Sequence, residues 1–427
     1  MFVSQKLHSP TTTPTTLKFL LIPAQPNPYD RRMMRGLADG LAAHGHETSN
    51  LLSPVPPHTI AELCKEIGAH VVVQVNQLRP RSVDLPTGTR HVAWFQDIFP
   101  SHQKGLGRAL PGDIVYFLGD PHALGLEREL PCLVDTLLTG VDESLFSRQE
   151  PNDFACDYSL CGFIPPPSRA RMAIRYQIYF ATPLLARISG LMSAGYANDF
   201  ILFCARVQAP EPVLAAVRST VEANYPPLSG ELDITTLSKS LRRTLNGLRW
   251  RYGLSPWRIR HLVDYYAREY PRLIDRLALL HAITDISDSV HLYGPGWETH
   301  DEFRHLHRGV LHSSTELARV YRTSRINLAN NTHGLGLHSR NLECMAVGGF
   351  ILTHTSPNDD KPGGLRTSFE PGVHYGAFAP DTLVEEAQRW LRNEKERLAA
   401  GKRARQIVRE KHLWRHRAAQ ILADLER

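Results

Sequence analysis

His333-Gly-Leu-Gly-Leu-His-Ser-Arg340-Asn-Leu-Glu343-Cys-Met-Ala-Val-Gly348-Gly349-Phe-Ile-Leu-Thr353 is the stretch that decides the fold. A glycine-broken loop leads into a short amphipathic run, Leu342 to Val347, which Gly348-Gly349 stops. The apolar run Phe350 to Thr353 then reads as a β-strand. Loop, helix, glycine stop and strand make one step of an α/β fold, with the helix N-terminus turned back to the loop. Such an end presents unpaired N–H groups and positive potential, and it can hold a phosphate. Arg340 sits there and can pair with phosphate oxygens in a two-pronged way. Glu343, one turn in, can accept hydrogen bonds from two neighbouring hydroxyls, as on a ribose. A purely structural reading competes: glycine pairs often just end helices, and a first-turn Glu often just complements the helix dipole.

Outward from this stretch, 427 residues are too many for one ordinary core, so two domains are expected. A hydrophobic content of 42% is that of a globular protein. The formal charge is +6, and arginine greatly outnumbers lysine, which suits anionic partners. No block of like charge reaches five or six residues, so a solvated surface accounts for most of it. The six cysteines are scattered and no Cys-x-x-Cys occurs, which predicts reduced thiols in a cytoplasmic protein. The twenty-one histidines include His305, His307 and His312, but none has zinc-ligand spacing, so no metal is expected. Residues 1–16 form a Ser/Thr/Pro-rich leader without an apolar core, expected to be disordered. No apolar run is long enough to span a bilayer.

In the N-terminal half, Leu17–Ile22 reads as a first strand and Asp30–His44 as a helix ending at Gly45. This is a Rossmann-like opening without Gly-x-Gly-x-x-Gly. A helix at Ile60–Gly68 and strands at His70–Val75, His91–Phe95, Asp113–Leu118 and Cys132–Leu138 continue the alternation. The pattern predicts a doubly wound parallel sheet with ligands beyond the carboxyl ends of its strands. Loops at those ends supply Asp30, Asp97, His102 and His122 as acceptor-side candidates. Asp97 follows its strand directly and can act as a general base or hold an acceptor hydroxyl; it can equally just start a turn.

A polar linker, Ser147 to Phe154, separates the halves, giving an N-terminal domain of 17–150. A second domain, 155–410, opens with the strand Asp157–Gly162 and carries a helical insertion at about 170–285; a C-terminal helix at 411–427 is placed to pack back on the first domain. Arg169 and Arg171 start the insertion, where they can face a phosphate. Its Arg-rich helix faces, Leu241–Tyr252 and Ile259–Tyr270, can meet nucleic acid or an acidic acceptor, but a solvated face is the commoner meaning. Beyond it, Ser289–Tyr293 and Arg325–Asn330 are strands, and Thr315–Arg322, Asp381–Leu391 and Glu394–Arg409 are helices.

The run Val290–Leu422 resembles the glycosyltransferase group 1-like domain of the spore-maturation glycosyltransferase family, sugar transferases of the GT-B fold. The resemblance lies in Tyr293-Gly-Pro-Gly-Trp297, Ser314–Leu328, Arg340–Thr353, Phe369-Glu-Pro-Gly372 and the His412…Arg417 tail. It implies two Rossmann-like domains facing across a cleft, a nucleotide-sugar donor held mainly by the second, an acceptor hydroxyl held mainly by the first, and no metal or cofactor. It gives Glu343 the donor ribose. Arg340, Arg169 and Arg171 fall to the diphosphate, with Gly336, Ser339 and Gly294 as further donor-side candidates; Asp97 and Arg340 are the catalytic pair. Two positions depart from the pattern. Leu335 stands where retaining relatives carry the first Glu of Glu, seven residues, Glu, and Gln96-Asp97 stands where a His-Asp pair is common. Retention, inversion and a catalytically silent nucleotide-sugar-binding protein therefore stay open, with nucleic-acid binding as the minor alternative.

Overall fold

A computed structural model describes residues 16–97, 99, 106–147, 153–164 and 209–427. His102, Arg169, Arg171, the leader up to residue 15 and the first part of the insertion lie outside the described residues.

The first sheet has six parallel strands: β1 (Lys18–Ile22), β2 (Glu47–Asn50), β3 (Val71–Val75), β4 (Arg90–Phe95), β5 (Ile114–Phe117) and β6 (Leu133–Thr136), in the order β2-β1-β3-β4-β5-β6. β3, β4 and β5 are mostly apolar and, past Arg90, buried on both faces, as helices on both sides of a parallel sheet require; the buried polar exceptions, Gln74 and His91, bond to each other at 3.3 Å. Helix α1 (Pro28–Ala43) is capped by the Asn27 side chain, has proline in its first turn, and buries Met33, Met34, Leu37 and Leu41. Helix α2 (Pro57–Ile67) ends on left-handed Gly68. β2, Glu-Thr-Ser-Asn, is an addition to the strands expected from sequence. It is a polar edge strand with no apolar alternation to betray it.

The second sheet has five parallel strands: β7 (Cys156–Cys161), β8 (Val290–Tyr293), β9 (Ser324–Ala329), β10 (Ile351–His354) and β11 (Gly376–Phe378), in the order β11-β10-β9-β7-β8. Two parallel sheets with their own helices, sharing one cleft, are the GT-B arrangement. Between β7 and β8 runs a bundle of α3 (Glu211–Asn224), α4 (Ile234–Leu248) and α5 (Pro256–Thr284). Its first three quarters enclose their own apolar core, with Val217, Leu241 and Leu262 inside it, whereas Leu273, Leu279 and Ile283 of α5 belong to the core of the second sheet. One 29-residue helix thus ties the insertion to the domain, with Pro271 in its interior where the two cores meet.

Helices α6 (Ser314–Thr323), α7 (Ser339–Ala346), α8 (Leu383–Arg392) and α9 (Glu394–Lys411) complete the second domain. α7 begins three residues before the amphipathic run suggested, because His338 and not a Ser or Asp caps it. The last helix, α10 (Trp414–Leu425), packs on the first domain: Trp414, Ala418 and Ile421 join the apolar cluster of Phe19, Trp94 and Tyr116. Gly40 of α1 makes this possible, since a Cβ there would lie 2.6 Å from the Trp414 carbonyl oxygen. The Tyr116 hydroxyl donates to Asp424 at 2.6 Å, closing the contact.

Candidate functional site: an arginine-lined cleft

Strand order reverses between β7 and β9, since the chain runs from β7 to β8 on one side and then crosses to β9 on the other. In a parallel sheet that reversal leaves a crevice beyond the carboxyl ends of the two strands. The cleft lies there. Its floor is Cys161 at the end of β7 and Asn330 after β9, and Gln96, Asp97 and Leu118, beyond β4 and β5, form the wall from the first domain.

Three arginines line it. Arg340, in the first turn of α7, donates from Nη1 to the Cys161 carbonyl at 3.0 Å. Arg276 of α5 donates from Nε to Asn330 Oδ1 at 3.1 Å and from Nη1 to the Phe163 carbonyl. Arg272, one turn earlier, pairs with Glu269 at 3.2 Å and lies 3.5 Å from His333 Nδ1. Gly162 gives the first two room, since a Cβ there would come within 2.9 Å of Arg340 Nη1. Two histidines among these cations are kept neutral. Burial, then the charge of Arg272, pushes His333 down to about 3. Burial, then Arg340, Arg272, Arg32 and Arg276, holds His338 well below the ordinary range. The positive field thus comes from fixed guanidiniums and the α7 N-terminus, an arrangement suited to a polyanion.

The opposite wall carries Asp97. Its side chain is exposed to the cleft, yet the protein packed around it strips enough water to raise its carboxyl above the ordinary carboxylate range, against the opposing Asn76 hydrogen bond. Asn76 at the end of β3 positions it: Asn76 Nδ2 donates to Asp97 Oδ2 at 2.8 Å, and Asn76 Oδ1 accepts from the Gln96 N–H at 2.8 Å. Asn76 does this from a left-handed backbone (φ 56), a costly conformation held where it orients a site residue. Beside it, Gln96 Nε2 is buried with no hydrogen-bond partner among the described residues.

The other sequence-predicted residues are distributed differently. Glu343 does not line the cleft. It crosses to the first domain, where Oε1 pairs with Arg32 of α1 at 3.1 Å, while Oε2 is buried without a hydrogen-bond partner among the described residues. Burial raises its carboxyl, and Arg32 and Arg340 oppose that. Ser339 is buried beside His338, whose ring stacks on Tyr29 of α1 at 6.0 Å between centroids. Gly336 packs on Leu365, and Gly294 (φ 121) packs on the Gly162 carbonyl, so both shape backbone behind the cleft. Asp30 is buried and accepts from the Gln25 N–H at 2.9 Å, holding the β1–α1 loop. His122 bonds within its own turn, to the Leu126 carbonyl at 3.0 Å, outside the cleft lining. Leu335 packs against the cluster of Phe95, Phe117 and Leu118 in the first domain; the atoms that a glutamate would place here are replaced by an apolar tie between domains.

Four further residues at or behind the cleft are not evident from sequence: Arg272, Arg276, Asn76 and the buried Asp275. Asp275 accepts from the Tyr225 hydroxyl at 2.8 Å, the Leu228 N–H at 2.7 Å and the Thr332 hydroxyl at 2.5 Å, fixing the loop after β9 to the helical bundle. The spacing of Arg272 and Arg276, one helical turn apart, was the available signal.

Residues 242–423 match the model of a family described as "Glycosyl transferase-like". That segment is similar to glycosyl transferases. It takes in part of the bundle, the arginine-lined wall and the return helix, somewhat under half of the chain. Among curated proteins no match is found. Solved structures with similarity to the chain include sucrose-phosphate synthase from Thermosynechococcus elongatus (12% identity, TM-score 0.48, covering 95% of this chain and 98% of that one). HepE of Anabaena, solved with UDP-glucose, has 11% identity and a TM-score of 0.47 over 96% and 99% of the two chains. AviGT4, a glycosyltransferase of avilamycin A biosynthesis, has 13% identity and a TM-score of 0.46 over 96% and 97%. The two-domain assignment rests on the sheets themselves. Among the described residues, no group of three or more His, Cys, Asp or Glu could hold a metal ion, and no helix is long and apolar enough to cross a membrane.

Proposed function

We propose that this protein transfers a hexosyl-type group from a nucleoside-diphosphate donor to an acceptor hydroxyl. In the reaction the bond from the anomeric carbon to the diphosphate breaks as the acceptor oxygen bonds to that carbon. Negative charge builds on the leaving phosphate, and Arg340, Arg276 and Arg272 stabilise it together with the α7 N-terminus. The acceptor's proton goes to Asp97, whose raised pKa makes it a stronger base than an ordinary carboxylate. Gln96 Nε2, without a partner among the described residues, offers the substrate a hydrogen bond. Glu343, turned out of the cleft onto Arg32, takes no part in holding the donor and ties α7 to the first domain instead.

The observation that carries this reading is three guanidiniums at the strand-order reversal, facing a positioned carboxylate across the cleft. The finer points belong to the same proposal: a place in the spore-maturation branch, action without metal or cofactor, and a cytoplasmic setting. The test is a thermal-shift screen of nucleoside diphosphates and their sugars, since ligands that bind only the folded state raise its melting temperature. A shift by one nucleoside diphosphate, abolished in Arg340→Ala, supports the reading; no shift by any of them rejects it. Leu335 favours a second reading, a protein that binds the donor without turnover. Hydrolysis of the bound sugar nucleotide, however slow, excludes it.

A further inference from the structure

From Ile234 to Val263 the chain carries seven basic residues, Lys239, Arg242, Arg243, Arg249, Arg251, Arg258 and Arg260, and not one acidic residue. These thirty residues are α4, the turn after it and the start of α5. Trp250 at the turn is 87% exposed, and Trp257 in the first turn of α5, edge-on to His261, is 51% exposed, two of the five large hydrophobic side chains exposed among the described residues. The Arg249 guanidinium lies 5.1 Å from the Trp250 ring, and that of Arg251 lies 5.5 Å from Tyr252. Lys239, Arg242, Arg243, Arg251 and Arg260 are all exposed. Acidic neighbours are occupied elsewhere in the bundle: Glu211 pairs with Arg218, Asp264 with Arg268, and Asp233 caps α4.

Core packing does not explain two indoles at one end of a helical hairpin, because the bundle core is already filled by Leu237, Leu241, Leu245, Ile259 and Leu262. We propose that this hairpin end docks on an anionic lipid bilayer. Indoles favour the headgroup layer, where the ring is buried and its N–H still finds a partner. Arginine stems lie along such a surface while their heads reach lipid phosphates. Each basic residue near an anionic leaflet strengthens partitioning by about fivefold, an effect that fades within a Debye length, about 8–10 Å. A single strand of nucleic acid fits less well, because such sites combine a basic groove with aromatics along it, whereas here the two exposed indoles sit together at one end of a helical hairpin. The proposal is independent of the transferase reading.

The test is co-sedimentation of the full chain with vesicles of phosphatidylcholine, and of phosphatidylcholine with phosphatidylglycerol, at low and high salt. The expected result is retention only on the phosphatidylglycerol vesicles, lost at high salt, with a blue shift of tryptophan emission. Trp250→Ser should reduce the shift and Arg251→Glu should weaken retention by more than about fivefold. Both side chains are exposed, so melting temperatures should match the parent protein. No retention on anionic vesicles overturns the proposal. So does retention indifferent to both substitutions, or binding to a single-stranded oligonucleotide without vesicle binding.

Discussion

Replacing Arg340 by alanine removes one of three cations from the cleft and one hydrogen bond from the fold. The structural cost is bounded by that bond, Nη1 to the Cys161 carbonyl at 3.0 Å. A hydrogen bond of this kind contributes about 1 kcal/mol net, and the freed carbonyl faces a cleft that water can enter. In a domain of this size that lowers the melting temperature by about 2–4 °C. The catalytic cost is larger. Removing a donor aimed at developing charge costs about 3–4 kcal/mol, or 10² to 10³ in rate. Arg276 and Arg272 remain, so activity falls without vanishing. Arg340→Lys keeps the charge but not the two-pronged geometry and should lie between. The assay is release of nucleoside diphosphate from the sugar nucleotide found by thermal shift, with a melting curve of each variant. Full turnover by Arg340→Ala refutes the role, as does a loss that merely tracks unfolding.

Asp97→Asn should lower the transfer rate by about 10²–10⁴. In the parent protein the rate should rise with pH through a limb above the ordinary carboxylate value, because burial raises this group; a limb at or below that value removes Asp97 as the base. The raised folded pKa also means that the stability contributed by the protonated form is lost as pH rises through it, so Asp97→Asn should melt no lower than the parent at neutral pH. Asn76→Gly relieves the left-handed backbone but drops both hydrogen bonds to the Gln96–Asp97 segment, and should lower rate more than melting temperature, whereas Asn76→Ala should lower both. Glu343→Gln should leave nucleoside diphosphate affinity in calorimetry nearly unchanged, because Glu343 faces Arg32 and not the cleft; a selective loss of nucleoside diphosphate over pyrophosphate affinity would return it to the ribose. Leu335→Glu presses a carboxylate against Phe95 and Phe117, so it should cost about 1–3 kcal/mol in thermal melts without raising turnover.

The strands were legible because a parallel strand buried on both faces is mostly apolar, and Val71–Val73, Val92–Phe95 and Ile114–Phe117 show that as runs. Glu47–Asn50 was not, since an edge strand takes its place from backbone pairing with β1 and needs no apolar side chains. Arg340 was legible because it is local to a loop, a cap and a helix start. Arg272 and Arg276 reach the same cleft from a helix more than sixty residues away, and in sequence they read as a solvated face interrupted by proline. What places them is the crossing of α5 from one core to the other, a tertiary fact with no periodicity of its own. The left-handed turn at Asn76 is likewise set by what its side chain must hold, not by its neighbours.

The stretch around Arg340 touches both domains. Leu335 enters the apolar cluster of the first, His338 stacks on Tyr29, and Glu343 pairs with Arg32, while Arg340 between them faces the cleft. A backbone contact, the Asp120 N–H to the Pro362 carbonyl at 2.9 Å, joins the domains nearby. A diphosphate drawn to Arg340 therefore acts on a segment whose other side chains set the spacing of the two sheets. Any ligand that prefers one spacing shifts the population toward it by its difference in affinity. A leucine at 335 makes that coupling apolar: its side chain joins Phe95, Phe117 and Leu118 of the first domain and has no polar atom to offer the cleft.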